Sequence, residues 1–142
     1  MANKIYDSAL YDVMNGTWGW LLSADFSVAL VDNTYTFLAT HSAYADISGS
    51  FLTGMTPEVM STNTLTAGVT PMLAGSDSVT FTGVNTGQTV KAIIVYNNVG
   101  AGRLIAYYDT GVGLPLSTTG ANITIDWNAT AVAGTLISVT GP

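Results

Sequence analysis

Few side chains in this sequence are suited to acid–base or nucleophilic chemistry. His41 is the only histidine, there is no cysteine, and nine Asp and Glu residues stand against three Lys and Arg. A Ser-His-Asp triad would have to use His41, with Asp32 or Asp46 orienting the imidazole. No G-x-S-x-G motif accompanies them. We therefore interpret His41 as a loop residue that hydrogen bonds within its own segment, and we predict no catalytic residue.

The acidic residues are placed as turn and cap residues rather than as a reactive pair. A glycosidase needs two carboxylates across a cleft, whereas Asp32, Asp77 and Asp109 each stand beside turn-forming residues. The sequence has no EF-hand calcium loop, and the lack of cysteine excludes thiolate metal sites. These patterns predict no enzyme, no metal and no cofactor.

The two glycine-rich loops, Gly100-Ala101-Gly102 and Gly111-Val112-Gly113, do not complete a G-x-G-x-x-G phosphate motif. Both fall between predicted strands. We therefore predict hairpin loops whose glycines adopt positive φ.

Charge is scarce, at 8% of residues with a net charge of −6, where a soluble domain usually carries about 25%. Lys4, Lys91 and Arg103 cannot neutralise the roughly 6–10 phosphates that DNA-binding proteins contact, so we expect no nucleic-acid partner. No apolar run approaches the roughly 20 residues of a spanning helix, and Asp7 and Asp12 interrupt any signal-like stretch, so we expect no membrane partner. Such a surface suits a protein that packs against other subunits.

An N-terminal helix is predicted over residues 4–15, with Asn3 as its cap and Gly16 at its end. We expect its apolar face to pack on the core. The residues of that face are Ile5, Tyr6, Ala9, Leu10, Val13 and Met14.

Strand periodicity follows. Phe26 to Val31 alternates, with Phe26, Val28 and Leu30 on one face. Further strands are predicted at 78–82, 90–96, 103–108, 123–127 and 136–140. The fold class is therefore mainly β, an antiparallel sheet or β-sandwich with one short N-terminal helix.

We expect a single domain over residues 1–142. The first strand and a loop region occupy 17–48. Gly and Pro punctuate 49–77, which we interpret as an extended variable segment or arm, with a short strand near 59–66 as one possibility. A β-meander is predicted for 78–142.

Strands 90–96 and 103–108 are apolar on both faces. The predicted hairpin pairs Ile94 with Ile105 and places Lys91 opposite Tyr108. Large exposed apolar patches are rare on monomers, so both faces should be covered, one by the core and the other by a second sheet or another chain.

Aromatic and apolar residues outside these strands are candidate partner contacts. Trp127 alternates within a strand and is assigned to the core instead. The candidate contacts are Trp18, Trp20, Leu22, Phe51, Leu52, Met55, Met60 and Leu73.

Two stretches carry motifs of a known kind. One is DFSVALVDNTYTFLATH at 25–41, followed by Asp46-Ile47; the other comprises VKAIIVY at 90–96, GRLIAYYDTGVGLP at 102–115 and NITIDWN at 122–128. They resemble small β-rich virion structural proteins of tailed bacteriophages, of the head decoration or cement type. The chain departs from that pattern over 49–77, after Pro115 and over 129–142.

The resemblance implies a decoration protein on the capsid surface, assembled in the host cytoplasm. It implies the major capsid protein as partner, together with further copies of this chain in a homodimer or homotrimer. It supplies no catalytic residue. Two alternatives remain open: a tail or fibre component contacting host glycans, which should show aromatic rings along an exposed groove, and a glycan hydrolase, which needs two carboxylates facing a pocket.

Overall fold

A computed structural model of the chain describes residues 3–15, 26–60, 78–111, 113–127 and 137–140. It confirms a mainly β fold with antiparallel sheets and one short helix near the N-terminus. The elements are β1 (Lys4–Ile5), α1 (Asp7–Met14), β2 (Phe26–Val31), β3 (Glu58–Val59), β4 (Val79–Phe81), β5 (Thr89–Val90), β6 (Ala92–Asn97), β7 (Leu104–Tyr108), β8 (Leu116–Ser117), β9 (Ile123–Trp127) and β10 (Ile137–Thr140).

The strands form a sandwich-like arrangement of two main sheets. One has five strands in the order β1-β7-β6-β2-β3, the other has three in the order β10-β9-β4, and β5 pairs separately with β8. The predicted single β-meander over 78–142 is therefore wrong. The chain passes from the three-stranded sheet at β4 to the five-stranded sheet at β6 and β7, and returns to the three-stranded sheet at β9 and β10. The apolar faces of the two sheets can then bury each other.

The space between the two main sheets holds the first of two cores. The five-stranded sheet contributes Leu30, Ile93 and Val95, and the three-stranded sheet contributes Phe81 and Ile125. Burial alternates along β9 with the apolar residues inward, as the sequence period of two predicts. Trp127 is 7% exposed in this core, which confirms its assignment.

A second core covers the other face of the five-stranded sheet. Ala29, Ile94 and Tyr107 of the sheet pack against Tyr6 and against Tyr35 from the segment that follows β2. Both faces of the β6–β7 hairpin are thus covered, as predicted. Other parts of the same chain supply both covers, so the hairpin needs no second chain.

The predicted register of this hairpin is wrong. Ile94 lies opposite Tyr107 instead of Ile105, and a register shift follows Val95. This β-bulge sets the extra residue Ile105 beside Ala106, and both side chains join the first core. Because both residues are apolar, the sequence does not mark which one is extra.

Lys91 also differs from prediction. It interrupts the expected strand 90–96 between β5 and β6, and its ammonium group donates a hydrogen bond to the backbone oxygen of Tyr35 at 2.6 Å instead of facing Tyr108. This contact ties the segment after β2 to the sheet beneath it.

The N-terminal helix is shorter than predicted, because residues 4 and 5 form a strand. Lys4 and Ile5 pair with Tyr107 and Ala106 at the edge of the five-stranded sheet. The edge of β7 offers backbone donors and acceptors that helix periodicity cannot reveal. α1 therefore begins at Asp7.

β3 at Glu58–Val59 overlaps only the start of the strand predicted near 59–66. Residues 61–77, including Leu73 and Asp77, lie outside the described residues.

Candidate interaction surfaces

The predicted partner contacts fall into three groups. Leu52 and Met60 are 2% and 0% exposed and belong to the first core, so assigning them to a partner surface is wrong. Phe51 and Met55 are partly buried and pack against the second core. The remaining four lie outside the described residues: Trp18, Trp20, Leu22 and Leu73.

The histidine has the local role that was predicted. Its Nδ1 atom lies 2.9 Å from the hydroxyl of Tyr35, six residues earlier in the same segment. Neither acid proposed as its orienting partner serves that purpose. Asp46 accepts hydrogen bonds from the backbone N–H groups of Ser42 and Ala43, which lower the pKa of its carboxyl below the ordinary value.

Asp32 likewise caps a turn, accepting from the backbone N–H of Thr34 at 2.8 Å. Asp109 accepts from the hydroxyl of Thr110 at 3.1 Å. The turn-and-cap interpretation is confirmed for Asp32, and Asp77 lies outside the described residues. Within the described ranges, no three His, Cys, Asp or Glu residues gather as metal ligands.

A buried hydrogen-bond chain runs from this histidine into the second core. The hydroxyl oxygens of Tyr6 and Tyr35 are 2.8 Å apart, and Tyr35 continues to His41. Burial, and then the contact with Tyr35, raise the pKa of Tyr6 above its ordinary value. Its hydroxyl therefore stays protonated and needs a partner that only Tyr35 provides in the described residues.

The outward face of α1 carries large apolar side chains. Leu10, Tyr11 and Met14 are 46%, 65% and 86% exposed, and their spacing places them on one side of the helix. Ile5, immediately before the helix, is 46% exposed. We call these four residues the α1 face. The predicted packing of Leu10 and Met14 on the core is wrong, and the side chain of Val13 lies outside the described residues.

An ion pair lies on the inward side of the helix. Asp12 turns inward beside Ala9, and its two carboxylate oxygens accept from Nε and Nη2 of Arg103 at 2.6 and 2.8 Å. The Asp12 side chain is 8% exposed and that of Arg103 is 44% exposed. Their bidentate geometry anchors α1 on the start of β7 and leaves Leu10 and Met14 facing solvent.

Sequence reasoning missed this pair because the acidic residues were interpreted as turn and cap residues. The available signal was spacing, since Asp12 follows Ala9 by three positions and so shares its helical face. Nothing local, however, connects that face with Arg103, 91 residues away.

Replacing Arg103 by methionine should destabilise the protein by roughly 2 kcal/mol at pH 7, between the values for exposed and buried ion pairs. The hydrogen bonds from Arg103 lower the pKa of Asp12. The stabilisation is therefore present above the unfolded value near pH 3.9 and is lost as pH falls through the lower folded value. Urea denaturation of both proteins between about pH 7 and pH 3 should show their difference shrinking with acidity.

Lys4→Met is the matched control, since it removes the same charge. The Lys4 ammonium lies 4.6 Å from the centre of the Phe37 ring, a contact worth less than about 1 kcal/mol at an exposed site. Equal losses in the two variants, or a pH-independent difference, would contradict the role given to Asp12.

A second surface feature is a groove of about 360 Å³ at the β3 end of the five-stranded sheet. It lies between the sheet, the 3₁₀ turn Tyr44–Asp46 and the β6–β7 loop. Its lining residues are Ser27, Tyr44, Pro57, Val59, Tyr96, Asn98, Gly100, Ala101 and Gly102. We call this the β3 groove.

The loop that walls the groove behaves as its glycines predict. Gly100 and Gly102 have φ of 65° and 72°, and in the second loop Gly113 has φ of 94°. Val112 lies outside the described residues. The first loop is the β6–β7 hairpin loop, as predicted. The hairpin prediction for the second loop is wrong, because that loop leads from β7 to β8, which pairs with β5, and Gly111 is not among the described glycines with positive φ. Within the described residues, no helix follows either loop.

Comparison with protein-family models, curated proteins and solved structures finds no match for this chain. Within the described residues, no helix has the length and apolarity to cross a bilayer.

Proposed function

We propose that this chain is a structural virion protein: a capsid decoration, or cement, protein that binds the outside of a phage head. The observation that carries the proposal is the α1 face, where Leu10, Tyr11 and Met14 are exposed to solvent. Both faces of the five-stranded sheet are already covered by other parts of the chain. Exposed clusters of this kind mark interaction sites. The resemblance of 25–41 and 102–115 to phage virion proteins supports the same function.

The mechanism is bridging of neighbouring capsid subunits by a small homo-oligomer. Burying the α1 face removes apolar area from water at about 25 cal/mol per Å². A surface with only 8% charged residues leaves few ions to desolvate on contact. Each contact is modest alone, and an oligomer that engages several subunits at once gains attachment by avidity.

The test is binding to heads of the encoding phage that lack the protein. The double variant Tyr11→Glu/Met14→Glu should lose at least tenfold in affinity by co-sedimentation, since about 1.4 kcal/mol of lost burial is tenfold. Val99→Glu, at an equally accessible apolar residue on the β6–β7 loop (61% exposed), should bind as the parent does.

Electron microscopy of decorated heads should show regular surface density, and native mass measurement should give a dimer or trimer. Density confined to the tail would replace the head assignment by a tail or fibre role. A monomer without affinity for heads, or undiminished binding by the double variant, would contradict the proposal.

A further inference from the structure

We propose that the β3 groove is a binding site for a neutral saccharide, separate from the α1 face and independent of the decoration function. Residues from four parts of the chain line the groove. Its shape and its chemistry both indicate the same class of ligand.

The floor of the groove is a row across the sheet. Val59 of β3 is opposite Ser27 of β2, and Ser27 is opposite Tyr96 of β6, so the three side chains lie on one sheet face. Tyr44 and the loop 98–102 rise on one side of this row. The volume of about 360 Å³ is in the range of small-ligand sites and equals about a dozen water molecules.

The lining selects against ions. Among the described residues that line the groove, none is Asp, Glu, Lys or Arg, so a charged ligand would lose hydration without gaining a counter-charge from them. The accessible lining instead combines the partly buried ring of Tyr44 with the exposed amide of Asn98. Tyr96 and Ser27, at 3% and 1% exposed, form the closed floor beneath them. A neutral sugar matches this mixture, since its C–H faces pack on rings while its hydroxyls exchange hydrogen bonds with amides and hydroxyls.

The walls are held in place before any ligand arrives. The Tyr44 ring packs against Phe51 and Tyr96, with ring centres 5.3 and 5.4 Å apart. Its backbone N–H donates to the carbonyl oxygen of Ala101 at 3.3 Å. A preorganised site loses less entropy on binding, which matters for a weakly held sugar.

An extended peptide added to the β3 edge is the competing occupant, and the edge is poorly suited to it. β3 has only two residues, and Pro57 directly before it has no backbone N–H to donate. Short edge strands flanked by proline discourage strand addition. The groove therefore offers recognition through side chains rather than through a backbone ladder.

The test is an NMR titration of the full chain with cellotetraose, maltotetraose and chitotetraose, using Ala101→Trp to fill the groove. At least one sugar should shift the amide signals of residues 98–102 and Tyr44, and Ala101→Trp should weaken its binding at least tenfold. Val99→Trp is the matched control, because Val99 is exposed on the same loop but does not line the groove. It should bind the sugar as the parent does.

The proposal is overturned if none of the three sugars binds at millimolar concentration, or if Ala101→Trp binds as tightly as the parent. Perturbation of β3 by a strand-forming peptide, without any by the sugars, would also overturn it. The Tyr11→Glu/Met14→Glu variant should titrate normally with the sugar, and Ala101→Trp should still bind heads. The two proposals therefore fail separately.

Discussion

Replacing Gly102 by alanine is expected to cost about 3 kcal/mol of unfolding free energy. Gly102 has φ of +72°, a conformation that costs an L-residue about 1–2 kcal/mol. An added Cβ would also lie 2.6 Å from Cβ of Tyr44, closer than real side chains approach. Overpacking of this kind adds roughly 1–3 kcal/mol, because the loop must move away from the turn that holds Tyr44.

Gly100 offers a matched control two residues earlier in the same loop. Its φ is +65°, but nothing lies within 4 Å of an added Cβ. Gly100→Ala should therefore cost only about 1 kcal/mol, the backbone part of the effect. Chemical denaturation of both variants measures the difference. Equal losses would show that the close approach of loop and turn is not as described.

Tyr35→Phe is expected to cost about 2 kcal/mol, more than Tyr6→Phe at about 1 kcal/mol. The reason is that Tyr35 lies in the middle of the hydrogen-bond chain, between Tyr6 and His41. Tyr6 is 0% exposed and bonds only to Tyr35 among the described residues, so the Tyr35 variant leaves a buried hydroxyl without a partner. Tyr6→Phe leaves Tyr35 bonded to His41.

The double variant should then lose about 1 kcal/mol less unfolding free energy than the two single variants together. With both hydroxyls removed, no buried hydroxyl is left without a hydrogen-bond partner at residue 6. Unfolding free energies of all four proteins complete the cycle. Tyr11→Phe removes a hydroxyl at a residue that is 65% exposed and should be neutral. Additive losses would show that the two buried hydroxyls are not coupled.

The two proposed surfaces share a structural cause. The segment after β2 and the second sheet cover both faces of the β6–β7 hairpin, so within the described residues neither face of this hairpin is left for a partner to complete. The two proposed binding surfaces lie at the edges of the five-stranded sheet. The α1 face is beside the edge strand β1, and the β3 groove is at the opposite edge. Because they lie at opposite ends of one sheet, a single copy has room to engage two different partners.

The strands could be predicted wherever their signal was local. β2 and β9 match the predicted ranges at Phe26–Val31 and Ile123–Trp127, since alternation of apolar side chains depends only on near neighbours and on which side faces a core. The roles of Asp32, His41, Gly100 and Gly102 were likewise local, and the structure bears them out. Fold class follows from these elements together.

Tertiary contacts alone decided the rest. Helix periodicity predicted Leu10 and Met14 inside, yet in the structure Asp12 faces inward to Arg103, 91 residues away, and Leu10 and Met14 face outward. The β-bulge at Ile105 and the β3 groove, assembled from residues between 27 and 102, have the same origin. Local patterns determined which segments are strands, because each residue's preference is set by its neighbours. Which side chains remain for partners depends on pairings between distant segments, whose energies no single stretch of sequence contains.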